Sequence, residues 1–329
     1  MSPSSSSSSR ITIVIPVYNR AGIVGRTLRS IERQRLRPER VVLVDNASTD
    51  DSLAVMEAWR SEVEGRLDVV IVTESKPGAC AARNRGLQEV GTEFVMFFDS
   101  DDEMLPTHVE EFAAAIECNP DADIFGRSIE CEESDGSRRR LYFTSRRPMF
   151  NHLFRGCLST QRIVVRTSLV RAVGAWNEGL PAWNDYELGV RLLLASDKIV
   201  ELSGESSVVT YHLADSITGT SYSARHDRWE LSLDRVEALL RASDRGRKFA
   251  GWVDVRRMIL AAQYRAEADS SGCSAAEREN AMTQASRLRR EVVGRVDCRL
   301  RMTMIYLHNL YFKRLTWAFA RVLFPRWQR

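Results

Sequence analysis

A chain of 329 residues, 44% hydrophobic and 28% charged, has an ordinary globular composition, with room for one large domain and a smaller one. Its formal net charge of +3 is too small to point to nucleic acid. No run reaches the roughly 18 apolar residues of a membrane span. Six cysteines without CxxC spacing suggest neither a zinc site nor a disulfide framework, so reduced thiols in a cytosol are the simpler expectation.

Residues 1–9, a serine run after Met-Ser-Pro, lack the basic and apolar stretches of a signal peptide and read as a disordered tail. Ile11-Thr12-Ile13-Val14-Ile15 predicts a strand stopped by Pro16, and Val24, Leu28 and Ile31 are spaced as the apolar face of a helix. The same alternation follows in a strand over 41–44 ending at Asp45, a helix over 53–63, a strand over 69–72 and a helix over 79–87. Then Phe94-Val95-Met96-Phe97-Phe98 ends abruptly in Asp99-Ser100-Asp101-Asp102. Five bulky residues without a polar interruption read as a strand buried on both faces, in the middle of a parallel sheet. The pattern therefore predicts βαβ units with right-handed crossovers, an α/β Rossmann-like layer of mostly parallel strands flanked by helices. Neither a GxGxxG after the first strand nor a GxxxxGK[ST] is present, which disfavours a dinucleotide site and a P-loop ATPase.

The acids sit at the carboxyl end of their strand, the edge where open α/β sheets bind ligands. Three carboxylates so close repel one another. A hard divalent cation, Mn2+ or Mg2+, sharing one or two of them with diphosphate oxygens and water would relieve this; a solvated acidic turn before Pro106 is the alternative. Arg138, Arg139, Arg140, Arg146 and Arg147 lie near short β-like pieces and either clamp phosphates or coat a solvated hairpin.

From about residue 225 the period is helical only. Trp229, Leu233, Val236 and Leu240 form one stripe, Trp252, Val255, Ile259 and Ala262 a second. A Ser274/Glu277 capping box opens a third helix striped by Ala281, Ala285, Leu288 and Val292. Between Arg295 and Arg329 eight basic residues face one acid, Asp297, and are interleaved with aromatics. Leu307, Leu310, Tyr311, Ala318 and Val322 can share a helix face opposite Asn309, Lys313 and Thr316. That pattern suits either the surface of an anionic membrane or packing on the chain's own bundle or a second copy, as in a homo-dimer.

Ile15-Pro16-Val17-Tyr18-Asn19, Val44-Asp45-Asn46-Ala47-Ser48-Thr49-Asp50, Ala82-Arg83-Asn84-Arg85-Gly86 and Asp99-Ser100-Asp101-Asp102, followed by Gly174-Ala175-Trp176-Asn177-Glu178 and Asn184-Asp185-Tyr186-Glu187-Leu188, together resemble glycosyltransferase family 2, a group of GT-A-fold enzymes, over roughly residues 10–220. The resemblance implies a GT-A domain over 10–222, and the purely helical period beyond it predicts a helical C-terminal domain over 223–329. It implies inverting transfer of a sugar from a nucleoside diphosphate, usually UDP, to a hydroxyl of a glycan or lipid-linked acceptor in polysaccharide biosynthesis. A cytoplasmic location follows, with peripheral contact at the inner membrane face as the option raised by the C-terminus.

Residue by residue, Pro16, Tyr18 and Asn19 would line the nucleoside, Asp45 would accept from the uracil or ribose, Arg83 would approach the donor, Asp99 would reach the ribose or the metal shell, and Asp101 would ligate the metal. Asp185 matches the second acid of the family's Glu-Asp pair and is the candidate base, with Glu187 as fallback. The first acid is replaced by Asn184, which with Glu187 also reads as a capping box. His212 fits the family's metal- or diphosphate-touching position only with a one-residue shift, so a strand-end histidine is equally open. Trp183, in a loop next to Pro181, is the better candidate than Trp176 to stack on an acceptor sugar. Competing functions are a catalytically silent module that binds nucleotide sugar or assembles partner enzymes, kept open by Asn184, and a nucleotidyltransferase, which lacks its glycine- and lysine-rich phosphate loop here.

Overall fold

The computed structural model describes residues 9–133, 136–211, 221–270, 273–312 and 315–325. In chain order these form β1 (Ile11–Val17), α1 (Val24–Glu32), β2 (Arg40–Asp45), α2 (Ser52–Glu62), β3 (Val69–Thr73), α3 (Ala79–Gln88), β4 (Phe94–Phe97), β5 (Glu103–Met104), α4 (His108–Cys118), β6 (Ile124–Arg127), β7 (Ile129–Glu132) and β8 (Arg138–Leu141). There follow α5 (Pro148–Arg155), β9 (Ile163–Arg166), α6 (Thr167–Ala172), α7 (Asn184–Ala195), β10 (Ile199–Leu202), β11 (Val208–Tyr211), α8 (His226–Ala242), α9 (Ala250–Ala268), α10 (Ala275–Arg295), α11 (Arg299–Phe312) and α12 (Thr316–Leu323). The described residues fall into two compact units interleaved in sequence. The first takes Met1–Pro148, Cys157–Gly179 and Ala195–Leu213, the second Met149–Gly156, Leu180–Leu194 and Ala214–Arg329.

The first unit is built on a sheet of order β10-β6-β9-β4-β1-β2-β3. Its strands run parallel except β9, which is antiparallel to both β4 and β6. Period-two alternation divides the strand residues between two buried faces. Ile11, Ile13, Ile15, Phe94, Met96 and Phe98 point to one, where Val24, Leu28 and Ile31 of α1 and Val109, Phe112 and Ile116 of α4 close the core. Val14 and Val44 point to the other, against α3. There Gly86 packs flush: a Cβ on it would lie 2.4 Å from Val14 Cγ1 and 2.9 Å from Val44 Cγ2. Chain order reverses at β1, with β2 and β3 to one side and β4 to the other, which makes the carboxyl ends of β1, β2 and β4 a topological switch point.

A smaller sheet of order β5-β11-β7-β8 completes this unit. Arg138 and Arg139 on exposed β8 pair with Glu130, Glu132 and Glu133 of their own hairpin, and Arg140 donates to the Gly204 carbonyl. For these three the solvated-hairpin reading holds rather than the phosphate clamp.

In the second unit the helices meet as patterned. Trp229, Leu233, Val236 and Leu240, and Ala281, Ala285, Leu288 and Val292, are buried, and the Ser274/Glu277 capping box is formed in both directions. In α9 the core position belongs to Met258, not Ile259, which is half-buried. None of the six cysteines is in a disulfide. Among the described residues no helix is long and apolar enough to cross a membrane.

Candidate functional site

The loops leaving β1 and β2 are tied together before any ligand is considered. Asn19 adopts a left-handed backbone (φ +50°), which asparagine tolerates better than most residues. Its Oδ1 accepts from the Thr49 amide at 2.8 Å, its own amide donates to Ser48 Oγ at 3.1 Å, and the Arg20 amide donates to Ser52 Oγ at 2.7 Å. Asp50 Oδ2 takes the Ala21 amide at 3.0 Å, and bonds from Ser52 and Ala21 hold its carboxyl below the usual carboxylate range. Pro16 does not stop β1: half-buried, it lies within the strand, which pairs with β2 as far as Val17, and Tyr18 stands 56% exposed beyond the sheet edge.

Asp45, at the end of β2, is 5% exposed. One carboxylate oxygen accepts from the Ser48 amide at 3.3 Å; the other, Oδ1, is buried with no hydrogen-bond partner among the described residues. An unmatched buried acceptor is costly, typically about 1–3 kcal/mol, and marks a place where a donor from outside the chain would fit. Next to it Asn46 holds the loop before α3, donating to the carbonyls of Glu74 and Lys76 and accepting from the Gly78 amide. Gly78 sits at φ +124°, a conformation that favours glycine.

The acid cluster after β4 proves to be sorted. Asp99 accepts from Arg83 of α3 at 2.7 Å and from Gln161. Asp102, 4% exposed, takes Gln161 Nε2 at 2.6 Å and the Tyr211 amide at 3.1 Å, and burial beside the other two acids pushes its carboxyl well up. Asp101 is left with Arg20 Nε at 4.0 Å, and burial and Asp99 raise it to about 6. Much of the cation the sequence demanded is thus arginine and an amide. Gln161, Arg20 and Arg26, which donates to the Asp101 carbonyl, were not legible as site residues, since none belongs to a motif.

Among the described residues no three His, Cys, Asp or Glu side chains gather into a metal-binding group. A metal supported by Asp101, with diphosphate oxygens and water completing its shell, fits this chemistry; an all-protein cage does not. His212 lies outside the described residues.

Asn84 clamps the segment after α6 to α3: its Nδ2 donates to the Trp176 carbonyl at 2.9 Å and Glu178 Oε1 at 2.7 Å, and its Oδ1 accepts the Trp176 amide at 2.9 Å. Trp176, 4% exposed, lies under Arg83 (4.5 Å to its centroid) and edge-on to Phe97. It is core and a brace for Arg83, not a sugar platform.

The remaining candidates belong to the second unit. Asp185 is half-buried in the first turn of α7, its Oδ1 accepting the Tyr186 amide at 2.8 Å. Glu187 is buried and ion-paired to Arg191 at 2.7 Å, so it is neither a free base nor the capping partner of Asn184. Trp183 adopts φ +48° and packs against Tyr186, Tyr222 and Trp229, with Arg256 over its ring at 4.4 Å.

Comparison with known proteins bears on this arrangement. The chain is 35% identical over 133 residues to an uncharacterized glycosyltransferase, YwdF, of Bacillus subtilis (strain 168), covering 39% of this chain and 46% of that protein. It is 27% identical over 202 residues to a teichoic acid poly(glycerol phosphate) polymerase of Staphylococcus epidermidis, covering 59% and 27%. It therefore spans less than half the length of either relative. Its fold is similar to that of residues 1–349 of S. aureus TarS (TM-score 0.66, 18% identity, 97% of this chain and 92% of that one). The sequence model of Glycosyl transferase family 2 matches residues 12–176, about half the chain, from β1 to the tryptophan braced under Arg83, and the chain belongs to that family.

Proposed function

We propose that the chain transfers a sugar from a nucleoside-diphosphate sugar, first of all a UDP-sugar, to a hydroxyl of a glycan or lipid-linked acceptor, with inversion, in the building of a cell-surface polysaccharide. The observation that carries this reading is the unmatched Asp45 Oδ1 at the switch point. A uracil imide N–H or a ribose hydroxyl supplies the missing donor. Pro16, Tyr18 and Asn19 line the nucleoside, and Arg83 orients Asp99 toward the ribose. TarS has been crystallised with UDP-GlcNAc, and the relative from S. epidermidis is named for a phosphate-linked polymer; both are in keeping with the proposal.

In the transfer, the acceptor oxygen attacks the anomeric carbon opposite the diphosphate, the bond to the diphosphate breaks, and its electron pair goes to the leaving oxygen. Asp185 takes the acceptor's proton, a role worth roughly 10² to 10⁴ in rate. Asp101 would hold Mn2+ or Mg2+, which when bound supplies charge stabilisation to the leaving diphosphate. His212 is kept as a second ligand in this proposal, residues 10–222 as the GT-A catalytic domain and 223–329 as its helical appendage.

A second observation concerns where the protein works. Leu300, Met304, Leu307 and Tyr311 recur at helical spacing along α11 and are 75, 37, 45 and 77% exposed. The polar side turns inward instead: Asn309 and Thr316 are buried and bonded to each other at 3.1 Å. Exposed Arg299 and Arg301 flank the apolar stripe. An anionic membrane surface on the cytoplasmic side matches both features, whereas two copies related by a two-fold axis would oppose like charges.

Calorimetric titration of UDP with Mn2+ and with EDTA tests the donor site. Metal-dependent binding that weakens about tenfold in Asp45→Asn and loses its metal dependence in Asp101→Ala is the expected result. Equal affinity with and without EDTA would refute the metal assignment, and an unchanged Asp45→Asn would refute the nucleoside assignment.

A further inference from the structure

Arg256 and Arg257 are neighbours in α9 and keep different company. Arg257, buried, is paired with Asp234, Glu237 and Asp254. Arg256 has no carboxylate within ion-pairing distance among the described residues. Its guanidinium lies 4.4 Å above Trp183, and one nitrogen reaches Gln263 Oε1 at 3.4 Å. Tyr186, Tyr222 and Tyr264 complete its surroundings, and loss of solvent holds its pKa below the usual arginine range. Two of those hydroxyls are committed elsewhere, Tyr186 to the Leu153 carbonyl and Tyr264 to Glu230.

A guanidinium carries five N–H donors in a rigid fork. Here one long bond to an amide uses one of them, and a cation–π contact of roughly 0.5–2 kcal/mol does not satisfy the rest. A cation partly withdrawn from water without an anion is unfavourable, and two buried arginines avoid it: Arg83 pairs with Asp99 and Arg127 with Glu111. Arg256 is still partly exposed, so a ligand can reach it. The tryptophan beneath it is held at φ +48°, an outlier for a bulky residue of the kind that clusters at ligand clamps, and it precedes Asp185 by two positions.

We infer that Arg256, laid on Trp183, is an oxyanion subsite that takes a phosphate ester or a uronate carboxylate carried by the acceptor. This rests on the reading of Asp185 and Trp183 as acceptor-side residues. The guanidinium fork matches either oxyanion with two parallel N–H bonds, and Trp183 fixes the plane of the fork.

The test titrates sn-glycerol 3-phosphate and, separately, glucuronate into the full chain saturated with UDP, by calorimetry, in wild type, Arg256→Gln and Arg256→Lys. Binding of one probe in the millimolar range is expected, weakened at least about tenfold in Arg256→Gln and less in Arg256→Lys, which keeps the charge and loses the fork; UDP affinity stays unchanged. The probe that binds identifies the oxyanion. No binding of either probe up to about 50 mM, or equal affinity in wild type and Arg256→Gln, overturns the inference. A variant that only melts earlier while binding the anion normally makes Arg256 a structural brace and does the same. If Arg256→Gln does not fold, unchanged affinity in Arg256→Lys decides against the subsite. Failure of UDP to bind while a probe still binds counts against the donor reading alone.

Discussion

Replacing Gly86 by alanine opposes two effects of known sign. In an ordinary helix interior the change stabilises by about 1 kcal/mol, because alanine loses less backbone entropy. At Gly86 the new Cβ would sit 2.4 Å from Val14 Cγ1 and 2.9 Å from Val44 Cγ2, whereas ordinary contact begins at 3.4 Å. Relief needs a shift of about 1 Å. Val14 and Val44 are fully buried in neighbouring strands, and valine is stiff at χ1, so α3 must lift instead. Overpacking of this kind costs about 1–3 kcal/mol. The balance is a net loss of up to about 2 kcal/mol, a drop in Tm of up to roughly 8 °C for a domain of this size. Because α3 carries Arg83 and Asn84, the shift also loosens the Arg83–Asp99 pair, and UDP affinity should fall with stability. Gly25 is the control: in α1 its Cβ would meet only the flexible end of Arg29, at 3.2 Å, so Gly25→Ala should raise Tm. Melting curves and UDP titrations of the two variants check this. Stabilisation by Gly86→Ala equal to that by Gly25→Ala would show that the flush packing of α3 on β1 and β2 is wrong.

Asp185→Asn keeps the Tyr186 amide contact and removes the proton acceptor, so turnover should drop about 100-fold or more with UDP affinity intact; near-normal turnover moves the base elsewhere. His108 is buried against Phe112, bonded to Ser207 at 2.7 Å, and pushed from 6.5 to about 3 by burial and Arg127. The folded state therefore binds fewer protons than the unfolded chain between those values, and this contribution to stability is complete above about pH 6.5 and lost as pH falls toward 3. His108→Gln should lose less Tm than wild type between pH 7 and pH 5; identical pH profiles contradict the assignment. Leu307→Asp combined with Tyr311→Asp should abolish sedimentation with anionic liposomes while sparing UDP binding, and a wild-type chain that stays in the supernatant at low salt excludes the membrane role.

What was legible in the sequence follows from the range of the interactions involved. Strand and helix periods are local, so β1 to β4 and the stripe from Ala281 to Val292 could be read directly. Which carboxylate remains for a ligand is not local. Asp99 and Asp102 share Gln161, some 60 positions on, and Asp102 also accepts from Tyr211. Three acids in a row therefore look equivalent in the sequence, although the fold has already satisfied two of them. The same holds at α7, where Glu187 and Asp185 are both plausible bases until Arg191 takes one, and in α9, where Arg256 and Arg257 differ only in the carboxylates that α8 brings to one of them. Three of the groups proposed here to meet substrate, Asp45, Asp101 and Arg256, share a physical trait. Each keeps capacity to bond that neighbouring side chains do not use up, and such residual capacity can be read only after the long-range partners are in place.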